Sequence, residues 1–213
     1  MKEYELTLEN LVNRIFTKYL TRSDKNRPYI VAIDGLSGAG KTTLVNKIES
    51  ELKQKINVVL IHIDDHIVER NRRYDTGYEE WYEYYYLQWN VQYLKEVLFE
   101  KLYNNSKILS LPFYDKTRDT TNHRSISLSP QTIVIIEGIF LQRKEWKTFY
   151  DYTIFIDCPR EVRYTRVLER DKYIGDEQAI LNKYNRRYWP GEVHYIETEN
   201  PMKLADTIYH TIY

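Results

Sequence analysis

Residues 29–44 read YIVAIDGLSGAGKTTL, and the rest of the chain can be interpreted outward from them. Within this stretch, GLSGAGKT (35–42) fits the pattern G-x-x-x-x-G-K-[ST] of a phosphate-binding loop. The apolar run before the loop is typical of a buried strand, and residues 40–55 that follow are typical of a helix. A phosphate-binding loop requires this strand, loop and helix. The alternative, a chance glycine-rich turn that caps a helix, is therefore much weaker.

Each residue type of the loop has a physical role in holding phosphate. The glycines let backbone N–H groups point into a concave turn, and the helix that follows adds its dipole. Lys41 can reach the terminal phosphates, and Thr42 can offer its hydroxyl to Mg²⁺. We predict that ATP and Mg²⁺ bind here. The predicted ATP-binding residues are Gly35, Ser37, Gly38, Ala39, Gly40, Lys41, Thr42 and Thr43.

Apolar strands alternate with helical patterns along the chain, which predicts an α/β protein. The predicted strands are 29–35, 58–63, 108–114 (a strand or extended segment), 132–138 and 153–157. The predicted helices are 4–20, 40–55, 78–102, 159–172 and 201–212. We expect a P-loop NTPase-type three-layer fold with a mostly parallel five-stranded sheet covered by helices on both faces. We expect one domain over 1–213 with a small lid at 172–177.

Composition narrows the function classes. Lys and Arg together number 31, as do Asp and Glu, so a dedicated nucleic-acid binder is disfavoured. No apolar run approaches the ~20 residues of a membrane span, and MKEYELTLEN (1–10) has no apolar signal-peptide core. With a single cysteine, the chain is expected to be cytoplasmic.

Carboxylates follow two of the predicted strands, at the sheet edge where ligands of such folds bind. HIDDH (62–66) carries Asp64 and Asp65, either of which could accept a proton from an attacking hydroxyl. IIEG (135–138) places Glu137 where an acid can help to hold Mg²⁺. The alternatives are a helix-capping Asp at the first position and a solvated strand end at the second.

A predicted helix over 159–172 carries three arginines within an arc of about 60°. Arg163, Arg166 and Arg170 are compatible with a solvated helix that forms Glu–Arg pairs. After a phosphate-binding loop, however, arginines are also the groups that stabilise a transferring phosphoryl group. We favour this second interpretation, with Arg166 and Arg170 ahead of Arg163.

The order of these motifs resembles that of the uridine kinase-like family of P-loop kinases. The resemblance runs through LIHIDD (60–65), LPFYD (111–115), IVIIEGIF (133–140) and FIDCPREVRYTRVLERD (155–171). It implies that Asp64 is the base that activates the acceptor hydroxyl and that Glu137 lies near Mg²⁺. It also implies that Tyr114 lies beside a nucleoside, and that Arg166 and Arg170 contact phosphates.

The chain departs from the family pattern around the acceptor. The family's D-x-F-Y is DDHI (64–67) here, and Asp119 stands where the family has a base-reading His. The Gly-Arg pair of the family's lid is replaced by Gly175 and Asp176. The phosphotransfer residues therefore match better than the acceptor pocket does.

The segment 66–90 is expected to hold the acceptor. It contains EEWYEYYYLQW (79–89), which raises the choice between a stacking surface and a core face. At helical spacing, one apolar stripe is formed by Trp81, Tyr84, Leu87, Val91, Leu94 and Leu98. We interpret this stripe as core and Tyr82, Tyr85, Tyr86 and Trp89 as lying on other faces. The predicted acceptor-binding residues are Arg72, Arg73, Tyr74, Tyr114 and Asp119.

Together these patterns predict an ATP-dependent phosphotransferase that acts on a hydroxyl of a small metabolite. A nucleoside is favoured by the resemblance. A nucleotide, sugar or vitamin-like acceptor remains open, as does a nucleotide-dependent switch that needs a protein partner. The expected partners are ATP and the acceptor, without nucleic acid or membrane. The sequence does not decide between a monomer and a homo-oligomer.

Overall fold

The computed structural model describes residues 6–211, and its central element is a five-stranded parallel sheet. Its strands are β1 Tyr29–Gly35, β2 Asn57–His62, β5 Thr132–Gly138, β6 Tyr152–Asp157 and β7 Thr207–His210. Along the sheet they follow the order β2-β5-β1-β6-β7. All neighbouring strands run parallel. The predicted α/β fold with a parallel five-stranded sheet is confirmed.

Helices cover both faces of this sheet. Their bounds are α1 Leu8–Thr21, α2 Lys41–Lys53, α3 Glu80–Tyr82, α4 Val91–Leu94, α5 Glu100–Tyr103, α6 Arg160–Arg170, α7 Glu177–Lys183, α8 Trp189–Glu199 and α9 Pro201–Leu204. In β1, Val31 and Ile33 face α1 and α2, whereas Ile30 and Ala32 face the segment of α3–α5 and α8. This alternation makes the three predicted layers. The first two residues of the helix predicted at 4–20 lie outside the described residues.

Two strands form a separate sheet. β3, Ile108–Asp115, pairs antiparallel with β4, Thr120–Ser127, so the segment predicted at 108–114 is not a strand of the main sheet. The strand β4 was not predicted because its sequence, TTNHRSIS, is polar and most of its side chains are exposed. An exposed strand leaves no apolar alternation to detect.

The helix predicted at 201–212 is wrong for the residues that the structure describes, which end at 211. Pro201 begins the four-residue helix α9, and the chain then extends as β7 beside β6. Thr207–His210, with sequence TIYH, is rich in residues that favour strands, and its pairing with β6 outweighs any local helical tendency.

The helix predicted at 78–102 is interrupted. Wider π-helical turns occupy Glu83–Leu87 and Lys95–Phe99, and α4 begins only after Asn90. These turns change the helical phase. As a result Tyr85 and Trp89, which we assigned to other faces, lie in the core, whereas Trp81, Leu87 and Val91 are only half-buried.

No helix within residues 6–211 is both long enough and apolar enough to cross a membrane.

Candidate active site

The phosphate-binding loop joins β1 to α2 in the predicted position. Gly38 has φ 77° and Gly40 has φ 88°, a left-handed conformation that glycine adopts without strain. A Cβ on Gly38 would lie 2.7 Å from the backbone oxygen of Arg163 and 2.9 Å from Val167. The helix α6 therefore packs directly on the loop, and only glycine fits between them.

Residues of the predicted ATP site meet at the carboxyl edge of the sheet. Lys41 donates from Nζ to the carbonyl oxygen of Leu36 at 3.1 Å, which holds its ammonium across the loop. Thr42 donates from Oγ1 to Oε1 of Glu137 at 3.3 Å. Thr42 lies in α2 and Glu137 in β5, and both were predicted to bind the same Mg²⁺ ion.

The pair of Thr42 and Glu137 fits Mg²⁺. This ion usually takes one or two protein oxygens and completes its coordination with water and substrate phosphates. Among residues 6–211 no group of three or more His, Cys, Asp or Glu side chains could hold a metal by itself. The donor set therefore suits an ion that arrives with phosphates.

His62 is a partner of Glu137 that sequence reasoning assigned only to the strand. Its Nδ1 lies 2.6 Å from Oε2 of Glu137. The hydrogen bond to Glu137 raises the pKa of His62, although partial burial opposes this. Because β2 and β5 are adjacent and His62 is in register with Glu137, the imidazole fixes the orientation of the carboxylate.

Asp64 lies in a short 3₁₀ turn, Ile63–His66, directly after β2. Its side chain has solvent access but is closely surrounded by protein, and this enclosure raises the pKa of its carboxyl. The charges of Lys41 and Arg170 oppose the shift. Asp64 lines the main cavity, and its neighbour Asp65 does not.

The three arginines of α6 that were singled out in the sequence, Arg163, Arg166 and Arg170, take different positions. Arg163 is buried and donates from Nη1 both to Glu192, at 2.9 Å, and to the carbonyl oxygen of Ser37. Arg166 donates to the carbonyl oxygen of Gly38 at 3.3 Å. Arg163 and Arg166 thus contact the phosphate-binding loop from outside.

Arg170 lies at the end of α6, on the side of Asp64. It forms two hydrogen bonds to Asp171, at 2.7 and 3.0 Å, and this hydrogen bonding raises the pKa of Arg170. Tyr184 accepts a further hydrogen bond from Arg170 at 3.1 Å. Asp171 and Tyr184 therefore orient the guanidinium, which still acts electrostatically on Asp64.

A cavity of about 1080 Å³ adjoins Asp64. Most of its wall comes from residues 66–90, the segment predicted to hold the acceptor. Of the predicted acceptor residues, Arg73, Tyr74 and Tyr114 line this cavity. Tyr173 and Ile174, from the predicted lid, line it as well.

Arg72 and Asp119, which were also predicted to bind the acceptor, do not line the main cavity. Arg72 lines a separate cavity of about 260 Å³, together with His66 and His123. Asp119 accepts hydrogen bonds from the Tyr114 hydroxyl at 2.8 Å and from the backbone N–H of Arg70 at 2.9 Å. The carboxylate of Asp119 therefore positions Tyr114.

Two buried ion pairs near the site had no detectable signal in the sequence. Glu192 of α8 pairs with Arg163 beside the phosphate-binding loop. Arg187, just before α8, pairs with Glu83 at 3.0 Å and also donates to the carbonyl oxygen of Arg73. Both come from the run 177–199, in which α7, a π-helical turn and α8 follow one another without a gap. That run thus contacts both the phosphate loop and the acceptor segment.

Comparison with known proteins identifies the family. The model of the phosphoribulokinase/uridine kinase family matches residues 30–212. The uridine kinase of Borrelia duttonii is 32% identical, over 79% of this chain and 80% of that protein. The uridine kinase of Staphylococcus haemolyticus is 29% identical, over 84% and 86% of the two chains.

A solved structure agrees with this assignment. The structure described as "a possible uridine kinase from Bacillus stearothermophilus" is 41% identical, with a TM-score of 0.77, and the alignment covers 95% of this chain and 98% of that one. The phosphate-binding loop, the acidic strand ends and the arginine helix thus occur in a chain that matches one family over most of its length. The protein belongs to the phosphoribulokinase/uridine kinase family and is a P-loop small-molecule kinase.

Proposed function

We propose that this kinase transfers the γ-phosphoryl group of ATP to a hydroxyl of a small metabolite bound in the 1080 Å³ cavity. The observation that carries the proposal is the location of Asp64. This carboxylate lines the cavity, and it is near enough to Lys41 for the ammonium to influence its pKa. A base for the acceptor and a cation for the phosphates would thus be close to each other, as an in-line transfer requires.

The donor half of the reaction is assigned to the loop 35–43. Its backbone N–H groups and Lys41 would bind the phosphates, and Thr42 and Glu137 would hold Mg²⁺, which supplies charge neutralisation at the phosphates when bound. Arg166 and Arg170 would stabilise the charge of the transferring group. The contacts of Arg166 with the loop and of Arg170 with Asp171 support these roles, because both guanidinium groups are held in place.

The acceptor half is assigned to residues 66–90, with Tyr114 from β3. Asp64 would accept the proton of the attacking hydroxyl, and the residues 172–177 would act as a lid that excludes water. Tyr173 and Ile174 support the lid assignment because they line the cavity.

A nucleoside is the acceptor favoured by the family resemblance and by the names of the relatives. A non-nucleoside metabolite is the second candidate, and one observation favours it. Asp119, which stands where the family reads the base with a His, does not line the main cavity and is committed to Tyr114 and Arg70.

The test is a metabolite panel that measures ADP release and detects the product by mass. The panel includes nucleosides, sugars, sugar phosphates and hydroxy acids, with Mg²⁺ and ATP. A phosphorylated product formed by the wild type and not by Lys41→Ala would support the proposal. Release of ADP without any phosphorylated small molecule would contradict it.

A further inference from the structure

We infer that the acceptor of this kinase carries an anionic group, a phosphate or a carboxylate, and that Arg73 binds it. The inference rests on the proposed function in one respect, which is that the acceptor occupies the main cavity. It goes further because it names the chemical class of the acceptor and the side chain that selects it.

Arg73 is buried but has no acidic partner. Its side chain lines the cavity and the residue is only 5% exposed. Nevertheless, no carboxylate of residues 6–211 lies within 4.0 Å of its guanidinium. Every other buried arginine of the described chain, namely Arg143, Arg163 and Arg187, has such a partner. An unpaired buried charge is costly, so its retention indicates a partner that comes from outside the chain.

The hydrogen bonds of Arg73 leave the outer end of its guanidinium available. Its Nε donates to the carbonyl oxygen of Val68 at 2.8 Å. Its two Nη atoms have no hydrogen-bond partner among residues 6–211, and neither belongs to the polar atoms that are sealed from solvent. Since the residue lines the cavity and these atoms are not sealed, we take them as the donors that a ligand in the cavity would meet. Two parallel N–H donors match the geometry of a phosphate or carboxylate.

The surroundings of Arg73 hold the guanidinium in place. Its Cζ lies 4.8 Å from the ring centre of Tyr74 and 5.2 Å from that of Tyr114, both within range of a cation–π interaction. Arg187 donates to the backbone oxygen of Arg73 and is itself paired with Glu83. A positioned guanidinium loses little entropy when it binds an anion.

The charges around the cavity also favour an anion. Four basic residues of its wall have no carboxylate partner within 4.0 Å among residues 6–211: Arg70, Arg73, Lys116 and Lys183. Of the four acidic residues in the wall, Glu80 and Glu83 are paired with Arg186 and Arg187. This leaves Asp64, the proposed base, and the exposed Asp75. Asp119 is near Arg70 and Arg73, but its Oδ1 already accepts two hydrogen bonds.

A neutral nucleoside would leave this arrangement unsatisfied. Its sugar and base offer no formal charge to the Arg73 guanidinium. An acceptor with a hydroxyl at Asp64 and an anionic group at Arg73 would give a partner to both of these lining residues. A phosphate and a carboxylate would bind the Arg73 guanidinium in the same way, and the experiment below distinguishes them.

The experiment measures anion binding to the full chain by calorimetry, after the phosphate-binding loop has been saturated with Mg²⁺ and a non-hydrolysable ATP analogue. The probes are inorganic phosphate, sulfate and acetate, titrated at constant ionic strength with chloride. The variants are Arg73→Met, Arg73→Lys and, as a control, Arg118→Met. Arg118 is exposed and does not line the cavity.

We expect the loaded wild type to bind one anion, and Arg73→Met to bind it at least tenfold more weakly, because a charge-assisted double hydrogen bond is lost. Arg73→Lys should be intermediate and Arg118→Met unchanged. Stronger binding of phosphate and sulfate would indicate a phosphorylated acceptor, and stronger binding of acetate a carboxylate. Thermal unfolding of each variant checks that it is folded.

If the wild type loaded with Mg²⁺ and the ATP analogue binds no anion, the inference is overturned, and no variant is needed to reach that result. An equal loss in Arg118→Met, or no loss in Arg73→Met, would also overturn it. Efficient turnover of neutral nucleosides that sulfate does not inhibit would overturn it while leaving the proposed function intact. If the chain does not bind the ATP analogue, the proposed function fails instead. In that case the anion titration is repeated with Lys41→Ala. Its phosphate-binding loop lacks the ammonium, so anion binding at Arg73 is measured apart from anion binding at the loop.

Discussion

The carboxylate of Glu192 accepts a hydrogen bond from the backbone N–H of Ser37 at 2.8 Å, across 155 positions of the sequence. Its second oxygen pairs with Arg163, which in turn donates to the backbone oxygens of Ser37 and Cys158. A buried ion pair between α8 and α6 therefore holds the peptide groups on both sides of Ser37. The phosphate-binding loop is therefore held in shape by an ion pair whose members come from two helices outside the loop.

Glu192→Ala should destabilise the protein by about 3–5 kcal/mol, because it leaves Arg163 buried without its partner. Glu192→Gln should cost less, since an amide oxygen can still accept from the N–H of Ser37. The free energy of unfolding in urea measures both changes. Glu197→Ala, on the exposed side of the same helix, is the matched control and should be near neutral. Similar losses in Glu197→Ala and Glu192→Ala would show that the ion pair does not stabilise the loop.

Lys41→Ala should abolish most phosphoryl transfer and leave the fold intact. Lys41 is the loop's cation, and removing one preorganised donor at a developing charge typically lowers the rate by about 10²–10³-fold. Product formation is the measurement, and circular dichroism checks the fold. Lys47→Ala, an exposed lysine of α2, should retain full activity. Undiminished turnover in Lys41→Ala would contradict the assignment of the loop to catalysis.

The parts of this site that lie close together in sequence could be predicted, and those that depend on distant contacts could not. The spacing of Gly38 and Gly40 in the loop is recognisable because each position has a left-handed backbone conformation that favours glycine. Asp64 and Glu137 were found because each lies at or just after the carboxyl end of a largely apolar strand. The sequence pattern of Glu192 and Arg187, by contrast, is that of ordinary surface charges on a helix. Only the folded structure pairs Glu192 with Arg163 and Arg187 with Glu83.

The errors in the fold have the same origin. The core positions of the aromatic helix were predicted with a uniform period, and the π-helical turns that move Tyr85 and Trp89 inward leave no mark in the sequence. The strand β7 was taken for a helix because its partner β6 is distant in the chain: Thr207 pairs with Ile154, for example. Tertiary pairing decides such short segments.

Asp64→Asn should lower turnover roughly 10²–10⁴-fold, the usual contribution of a general base, and should change ATP binding much less. Asp65→Asn should have a smaller effect, because Asp65 does not line the cavity. Steady-state rates and ATP titrations of the two variants give the comparison. If Asp65→Asn were the more damaging change, the base would have been assigned to the wrong carboxylate.

The activity should also depend on pH through Asp64. Enclosure by protein raises the pKa of this carboxyl above its ordinary value of 3.8. Only the ionised form can accept a proton, so kcat/KM should fall as the pH is lowered through the raised pKa and should be constant above it. The residual activity of Asp64→Asn should lack this acid limb. An unchanged acid limb in that variant would assign the titration to another group.

Uridine should be a poor acceptor for this enzyme. Reading a pyrimidine requires polar groups placed on the edge of the base, and each one that is left unsatisfied costs about 1–3 kcal/mol. Here Asp119 stands where the family has its His, and its Oδ1 is used by Tyr114 and Arg70. The nearby His123 does not replace it, because its Nε2 lies 3.0 Å from the Tyr93 hydroxyl and its ring lines the smaller cavity.

The measurement compares kcat/KM for uridine, cytidine, purine nucleosides and non-nucleoside alcohols in one assay. Because one or two contacts with the base are missing, kcat/KM for uridine should be about tenfold to a hundredfold lower than kcat/KM for the best acceptor. His123→Ala should leave every rate unchanged, because the residue faces another cavity. Selective turnover of uridine that disappears in His123→Ala would mean that residues 115–124 shift their register and bring this imidazole, which lies in β4, to the acceptor. In that case the pocket would read the base as the family pattern implies.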